Sequence, residues 1–364
     1  MDDTKDNSIN ELLSYMKTTS ENVNRAINEY LNDKSSPRSL ERMLGRSGYS
    51  FNPEAIEKAV IEPSRYILEA GGKRIRPLIM LTAIEAMGKN PDDFLEFSII
   101  PEIIHTGTLI HDDIEDGSEL RRNKPTIHKK YGIELAINLG DFMFYFPIVA
   151  LLDSKKIRKS VKTRILETYQ RDMLRLGIGQ GVDLVWNRLG IDPSKISESE
   201  YFETAYSKTG VLTCMAAEMG AILGGGTKKQ VRALGKYGAT IGIAFQLQDD
   251  ILNITESKVA DNKGRIGEDI TEGKMTLLVI RASKVLPEDD KKRLIEILGM
   301  HTTDPALIQE AINLIKKSDA IEYVNKKKEQ LVKESIEAID KALPESKAKE
   351  RLKQLADFII NRSA

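Results

Sequence analysis

Apolar residues along the chain recur mostly three and four positions apart, the spacing that lines one face of an α-helix. Leu352, Leu355, Ala356 and Ile359 fall at i, i+3, i+4 and i+7, and from Ile321 to Leu343 charged residues fill the gaps between apolar ones. Alternation of period two is nearly absent, so the pattern predicts an all-α chain. Helix stops recur at Gly71-Gly72, at Gly88 with Pro91, at Gly224-Gly225-Gly226, between Gly264 and Gly267, and at Pro344. They leave roughly ten or more helices of ordinary length. The Asp116-Gly117 pair lacks alternating flanks and reads as a helix ending on glycine rather than a hairpin turn. No repeat of fixed period is visible. Residues 33–52 are linker-like, which divides an N-terminal helical extension and linker, 1–50, from a single large helical domain, 51–364.

Composition narrows the function classes. The 364 residues carry 54 Lys plus Arg against 55 Asp plus Glu, a formal charge of −1, so no bulk basic field exists to attract nucleic acid or anionic lipid. One cysteine, Cys214, excludes an internal disulfide and a multi-cysteine zinc site. The longest uninterrupted apolar run, Phe142 to Leu152, has 11 residues and includes Pro147. A bilayer needs roughly 18 or more, so no membrane span is expected. The acidic start leads into no apolar stretch of the secretory kind, and a reducing cytoplasm is the expected location.

Local charge is another matter. Between Asp112 and Glu119 five of eight residues are acidic: Asp112, Asp113, Glu115, Asp116 and Glu119. On a helix Asp112 and Asp116 stand one turn apart on one face, where like charges repel. A bound divalent cation would relieve them. A second pair, Asp249-Asp250 with Asn253 one turn on, ends the apolar run Ile241 to Gln248. Carboxylates at the end of an apolar helix are costly to desolvate unless paired or metal-bound. Either cluster alone would pass for a solvated helix face, whereas two after apolar helices point to a shared ion site. Oxygen donors alone favour Mg²⁺, with Mn²⁺ the alternative, over zinc. His105 and His111, about 240° apart on a helix, make no joint metal face.

Cations crowd the same stretches. Gly71-Gly72-Lys73-Arg74-Ile75-Arg76-Pro77 sets three of them beside a glycine pair, where backbone can approach a phosphate. Arg121-Arg122 follow the first acidic cluster, Lys208-Thr209-Gly210 adds another, and Arg265 to Lys274 interleaves both signs around Asp269. Mutual surface ion pairs are the ordinary alternative and contribute little. Carboxylates that hold metal, together with Lys and Arg that hold phosphate oxygens, make a diphosphate ester the economical ligand.

These stretches resemble the trans-isoprenyl diphosphate synthases, most of all their geranylgeranyl diphosphate synthase branch. The resemblance runs from about Ile56 to Arg281 and plausibly to the end. It is carried, in order, by Gly71 to Pro77, His105 to Arg122, Gly179-Gln180-Gly181-Val182-Asp183-Leu184, Lys208-Thr209, Phe245 to Asn253 and Gly267 to Thr276. It implies a bundle of antiparallel helices around a deep apolar cavity, with the two aspartate-rich segments facing each other across its mouth. It further implies Mg²⁺ ions bridging Asp112, Asp116 and Asp249 to an allylic diphosphate, with Asp113, Asp250, Asn253 and Asp269 nearby or acting through waters. Arg121, Lys208, Thr209, Gln246, Arg265 and Lys274 would contact that diphosphate. Lys73, Arg76, His105 and Arg122 would hold isopentenyl diphosphate. Asp112, Asp113, Asp116, Asp249, Asp250, Lys208, Thr209 and Gln246 form the implied catalytic set, Thr209 and Gln246 through dipoles on the carbocation. The reaction implied is head-to-tail 1′-4 condensation with release of diphosphate, and family members are commonly homodimers. Asn253 stands where many relatives have a third aspartate, and Arg265 where lysine is common.

Product length in this family depends on what floors the cavity below the first cluster. Gly107 and Thr108, about one turn before Asp112, are small, which argues against a farnesyl-only product. The aromatic run Phe142 to Phe146 offers a floor instead, Phe144 or Tyr145, and a twenty-carbon product is expected, with twenty-five or thirty carbons the alternative. A class I terpene cyclase would lack Lys73 and Arg76, and a non-catalytic subunit would have lost aspartates.

Overall fold

The computed structural model describes residues 3–34, 37–45, 48–255 and 266–360. Helix dominates, as the spacing predicts. Among the described residues the only strands are Leu120–Arg121 and Lys124–Pro125. The chain forms two compact units, residues 1–166 with 219–226, and residues 167–218 with 227–364.

In the first unit, α1 (Asp3–Lys34) buries Leu12, Val23, Ile27 and Leu31 along one face. Tyr15 shares a hydrogen bond with Thr82 at 3.2 Å, and the Tyr30 hydroxyl donates to the Phe146 carbonyl at 2.7 Å. The helix expected as an extension therefore covers core. Helix α2 (Ile75–Ala86) is apolar nearly all round and buried from Pro77 to Ile84. Pro77 lies in its first turn, where a backbone N–H has no helical partner to lose. Helix α3 (Ile99–Glu115) buries Ile99, Ile100, Ile103, Ile104 and Ile110. It ends at Gly117, φ 66°, whose N–H bonds the Ile114 carbonyl at 3.2 Å while Ser118 N–H bonds that of Asp113 at 3.0 Å. This paired arrangement stops a helix on a left-handed glycine.

A two-residue hairpin follows, pairing Leu120 with Pro125 and Arg121 with Lys124. Its turn residues Arg122 and Asn123 have φ of 53° and 61°, the doubly left-handed turn whose twist matches paired strands. Helix α4 (Ile133–Tyr145) crosses α3 where two glycines meet: a Cβ on Gly107 would lie 2.9 Å from the Gly140 carbonyl oxygen. Helix α5 (Ile148–Asp153) follows a break at Pro147. Ile133–Asp153 spans 21 residues at mean hydropathy 1.8, with 44% of its most apolar window buried, so by length and composition it is apolar enough to cross a membrane. The 11-residue run understated it because the count stopped at Asp141, which a longer window tolerates. In the structure this stretch is two helices, the first packed on α3 as core.

The second unit takes up α6 (Lys159–Arg188) from residue 167 onward. Helix α7 (Glu198–Ala205) starts on a capping box of Ser197 and Glu200 and runs through a π-turn, Tyr206–Gly210, into α8 (Val211–Leu223). Helix α9 (Lys228–Thr255) is its centre, with Ile241, Ile243, Ala244, Leu247, Ile251 and Ile254 buried. A Cβ on Gly242 would sit 2.8 Å from the Gly210 Cα, so these segments touch backbone to backbone. Helices α10 (Leu277–Val285), α11 (Ala320–Asp340) and α12 (Lys347–Ile360) complete the packing, with Leu278, Ile280 and Val324 in the same apolar cluster as Leu247.

Candidate active site

The first unit gathers the predicted isopentenyl residues. Gly71 and Gly72 take φ of 87° and 146°, which lets the chain turn tightly into α2. Gly72 has a second reason to be glycine: a Cβ there would lie 2.9 Å from Arg122 Nη2. The hairpin thus lays Arg122 against the glycine loop. His105, about two turns before Asp112 on α3, is held well below its ordinary value by burial and then by Arg76, Arg122, Arg121 and Arg74. It is neutral at pH 7. Burial also lowers Arg76 and Arg122, and Arg76 Nε is buried with no hydrogen-bond partner among the described residues. A cluster of cations around a neutral imidazole, with a donor unsatisfied, suits an anion. Lys73 is exposed beside them.

The aspartates of the same unit have separate fates. Asp113, 1% exposed, accepts from Arg121 Nε and Nη2, both at 2.7 Å, while its Oδ2 is buried without a partner. Burial pushes its carboxyl up and Arg121 pulls it part of the way back. Asp112 is half-buried and Asp116 exposed, at the open end of α3. A cleft beside them is lined by Thr106, Leu109, Asp113, Arg121, Arg122 and Lys124, among others.

Chain-length residues fall differently from expectation. Gly107 does not look into open space: its missing side chain makes room for Gly140, Met143 and Phe144 of α4. Tyr145 is 69% exposed and lines no interior within this chain. Phe144 lies edge-on against His111, ring centroids 5.3 Å apart, and the Thr108 hydroxyl donates to the His105 carbonyl at 2.8 Å.

In the second unit Asp250 is 3% exposed, with Gln246 Nε2 donating to its Oδ1 at 2.7 Å. Gln246 Oε1 accepts from Thr209 at 3.4 Å, so the π-turn and α9 share one chain of polar contacts. Burial, then Asp269, then Asp249 push the Asp250 carboxyl well up. Asp249 beside it is half-buried. Lys208 Nζ donates to Asp183 Oδ2 at 2.6 Å, and Lys274 pairs with Asp269 at 3.3 Å and with Glu272. Asn253 accepts the Asp269 N–H at 3.4 Å on its side chain and the Gly267 N–H at 3.0 Å on its carbonyl. Arg265 and its neighbour Lys263 lie outside the described residues.

Several participants escaped the sequence reading. Asp183 orients Lys208, and Asn187 joins it by donating to Asp183 at 3.2 Å while accepting the Met275 N–H at 3.2 Å. Glu102, three residues before His105 in an otherwise apolar stretch, was the visible signal for a buried ion pair with Arg74 at 2.6 Å. Elsewhere in the second unit, Asp172, Cys214 and Glu218 bring ligand atoms within 4.8 Å of one another. Arg171 already bonds both carboxylates, at 2.8 and 2.6 Å, and burial pushes the thiol up to about 12, so this set reads as a structural ion pair.

Acidic clusters and buried arginines around a neutral histidine, on a helical scaffold, suit an enzyme class that handles diphosphate esters. The chain matches the polyprenyl synthetase family over residues 57–315 and belongs to that family. It is 36% identical to a short chain isoprenyl diphosphate synthase of Methanothermobacter thermautotrophicus, covering 86% of this chain and 92% of the relative. Against a geranylgeranyl diphosphate synthase of Methanosarcina mazei the figures are 34%, 85% and 90%. Among solved structures it superimposes on geranylgeranyl pyrophosphate synthetase from Pyrococcus horikoshii with a TM-score of 0.82 at 32% identity, over 98% of this chain and 100% of the other. The protein is a prenyltransferase that elongates isoprenyl diphosphates.

Proposed function

We propose that the protein makes all-trans geranylgeranyl diphosphate by joining isopentenyl diphosphate to an allylic diphosphate. The observation that carries this reading is the gathering of Arg76 and Arg122 around neutral His105, with Arg76 Nε unsatisfied. A cyclase has no need of a second diphosphate site. Residues 51–364 supply the catalytic body and residues 1–50 its cover.

Asp112, Asp116 and Asp249 are the carboxylates that would hold Mg²⁺, for which Mn²⁺ could substitute, and Asp113, Asp250, Asn253 and Asp269 would support them. The hard oxygen donors suit that ion, and the buried Asp250 carboxylate has no cation of its own within hydrogen-bond distance among the contacts described. Bound there, the metal supplies positive charge to a diphosphate leaving group. Arg121, Lys208, Lys274 and Arg265 contact the allylic diphosphate and stabilise it as the allylic C–O bond breaks. Thr209 and Gln246 turn oxygen dipoles toward the carbocation. Lys73, Arg76, His105 and Arg122 hold the isopentenyl diphosphate so that its double bond attacks the cation, forming the new C–C bond. The proton then lost goes to the departing diphosphate. Phe144 is the proposed floor of the product cavity, with Thr108 above it.

The exposed apolar side chains of α4 and α5, Ile133, Leu135, Ile137, Tyr145 and Leu152, support a homodimer. A cytoplasmic location is the accompanying reading, with which a chain carrying one buried thiol is compatible. Incubation with Mg²⁺, isopentenyl diphosphate and dimethylallyl, geranyl or farnesyl diphosphate tests the proposal. A twenty-carbon product is expected. Products of twenty-five or thirty carbons would correct the length alone, and no elongation with any starter would overturn the reading.

A further inference from the structure

The loop carrying Lys73 and Arg76 is fixed by a residue that the proposed reaction leaves unused. Arg74 precedes α2 in the left-handed region, φ 48° and ψ 38°. That conformation is unfavourable for a side-chain-bearing residue and persists only where the surroundings impose it. Here they do. Its guanidinium is 3% exposed and makes three hydrogen bonds: Nε to Asn24 Oδ1 of α1 at 2.9 Å, Nη1 to Glu102 Oε1 of α3 at 2.6 Å, and Nη2 to the Leu68 carbonyl at 2.7 Å.

Glu102 is the reason such anchoring matters. It is buried, and its charge is felt by Arg76 and Arg122 as well as Arg74. A buried carboxylate takes a cationic partner whenever one is within reach, because leaving it unpaired is far more costly. Three arginines surround this one. Were Glu102 to take Arg76 or Arg122, an incoming diphosphate would have to break a charge-assisted pair and face a negative charge at close range.

We infer that Arg74 is a positioning residue for the isopentenyl diphosphate site: anchored by Asn24 and the Leu68 carbonyl, it occupies the Glu102 carboxylate and keeps Arg76 and Arg122 available to the ligand. The inference rests on the assignment of Lys73, Arg76, His105 and Arg122 to that site. It also gives α1 a task, since Asn24 holds the third edge of the guanidinium.

Steady-state kinetics of the full chain with Mg²⁺, isopentenyl diphosphate and farnesyl diphosphate test it. Charge-assisted hydrogen bonds contribute about 1.5 to 3 kcal/mol, so Arg74→Met raises the KM for isopentenyl diphosphate about 10- to 100-fold. The KM for the allylic partner stays within about twofold, a split that general loosening of the fold would not produce. The decisive variant is the double exchange Arg74→Met with Glu102→Gln. With the carboxylate gone, the isopentenyl KM returns to within about threefold of the parent, a non-additivity expected only of directly coupled groups.

An unchanged isopentenyl KM in Arg74→Met overturns the inference, and so does a double variant as impaired as the single one, because the loss then comes from the loop rather than from Glu102. If the buried substitutions prevent folding, Asn24→Ala and Arg74→Lys carry the test, each raising the same KM about threefold to tenfold. No change in either overturns it. Arg122→Ala runs alongside. If that variant leaves the isopentenyl KM unaltered, the site assignment falls and takes this inference with it; if it raises the KM while Arg74→Met does not, the inference alone falls.

Discussion

The two aspartate clusters are built from similar letters and solved by opposite means. Asp112, Asp113 and Asp116 occupy the last turn of α3, where the helix opens to solvent and Arg121 covers the one fully buried carboxylate. Asp249 and Asp250 lie more than a turn before the end of α9, and Asp250 is satisfied by a neutral amide. The first cluster has an arginine on its buried member and solvent at the others. The second is held against its own desolvation, and a metal ion would relieve it. Placement along the helix, more than the number of carboxylates, decides which cluster bears the larger desolvation.

The strongest way to break this contrast is to remove, from each cluster in turn, a carboxylate proposed to hold the metal. Asp112→Ala and Asp249→Ala each lower kcat by about 10³-fold or more at saturating Mg²⁺, with unchanged helical circular dichroism. Activity retained in either would remove that cluster from the chemistry.

Stability sharpens it next. Asp113→Asn breaks a buried pair with a partly exposed arginine and lowers stability by about 1 to 2 kcal/mol, discounted for Arg121's access to water. Asp250→Asn keeps the Gln246 bond, removes the disfavoured charge and raises the melting temperature without Mg²⁺. Melting shifts of the same sign in both would dissolve the distinction.

A pH series separates the clusters further. The Asp250 carboxyl sits above its unfolded value, so between the two values the folded chain binds more protons than the unfolded one. The stability this confers is complete below the unfolded value and is lost as pH rises through the folded one. Metal-free protein therefore loses stability on that rise, and Mg²⁺ raises the melting temperature more above the transition than below it. In Asp250→Asn the extra Mg²⁺ effect at high pH shrinks; an undiminished effect would assign it to other carboxylates. The smallest change expected is Asn253→Asp, which still accepts the Asp269 N–H and shifts kcat by no more than about threefold while lowering the Mg²⁺ concentration needed. A fall in the rate of about tenfold or more would show that the amide is required.

Much of this arrangement was legible in the chain. The apolar spacing predicts the helices, Asp116-Gly117 predicts how α3 ends, and Gly71-Gly72 predicts a helix stop, where both glycines take positive φ. What escaped depends on contacts between distant residues. Gly107 reads as a small residue beside a cavity, yet its partner is Gly140, which only the α3–α4 crossing brings near. The hairpin was missed because Arg122-Asn123 lacks the glycine that usually marks such a turn. Asp183, quoted only as part of a matching stretch, and Glu102, a lone charge in an apolar run, give no sign of their partners, since each acts on a cation supplied by another helix or loop. The π-turn at Tyr206–Gly210 adds a residue that helical periodicity cannot anticipate.

That hairpin has a consequence for how the chain can vary. Adjacent arginines are sent to unlike destinations, one clamped on an aspartate and its neighbour resting on the Gly72 backbone. Adding or deleting one residue within the turn would shift the register and exchange their assignments. Natural variation should therefore preserve the length of this turn strictly while leaving the identity of its tip residue Asn123 freer, a bias that a library of insertions scored for growth or turnover would reveal.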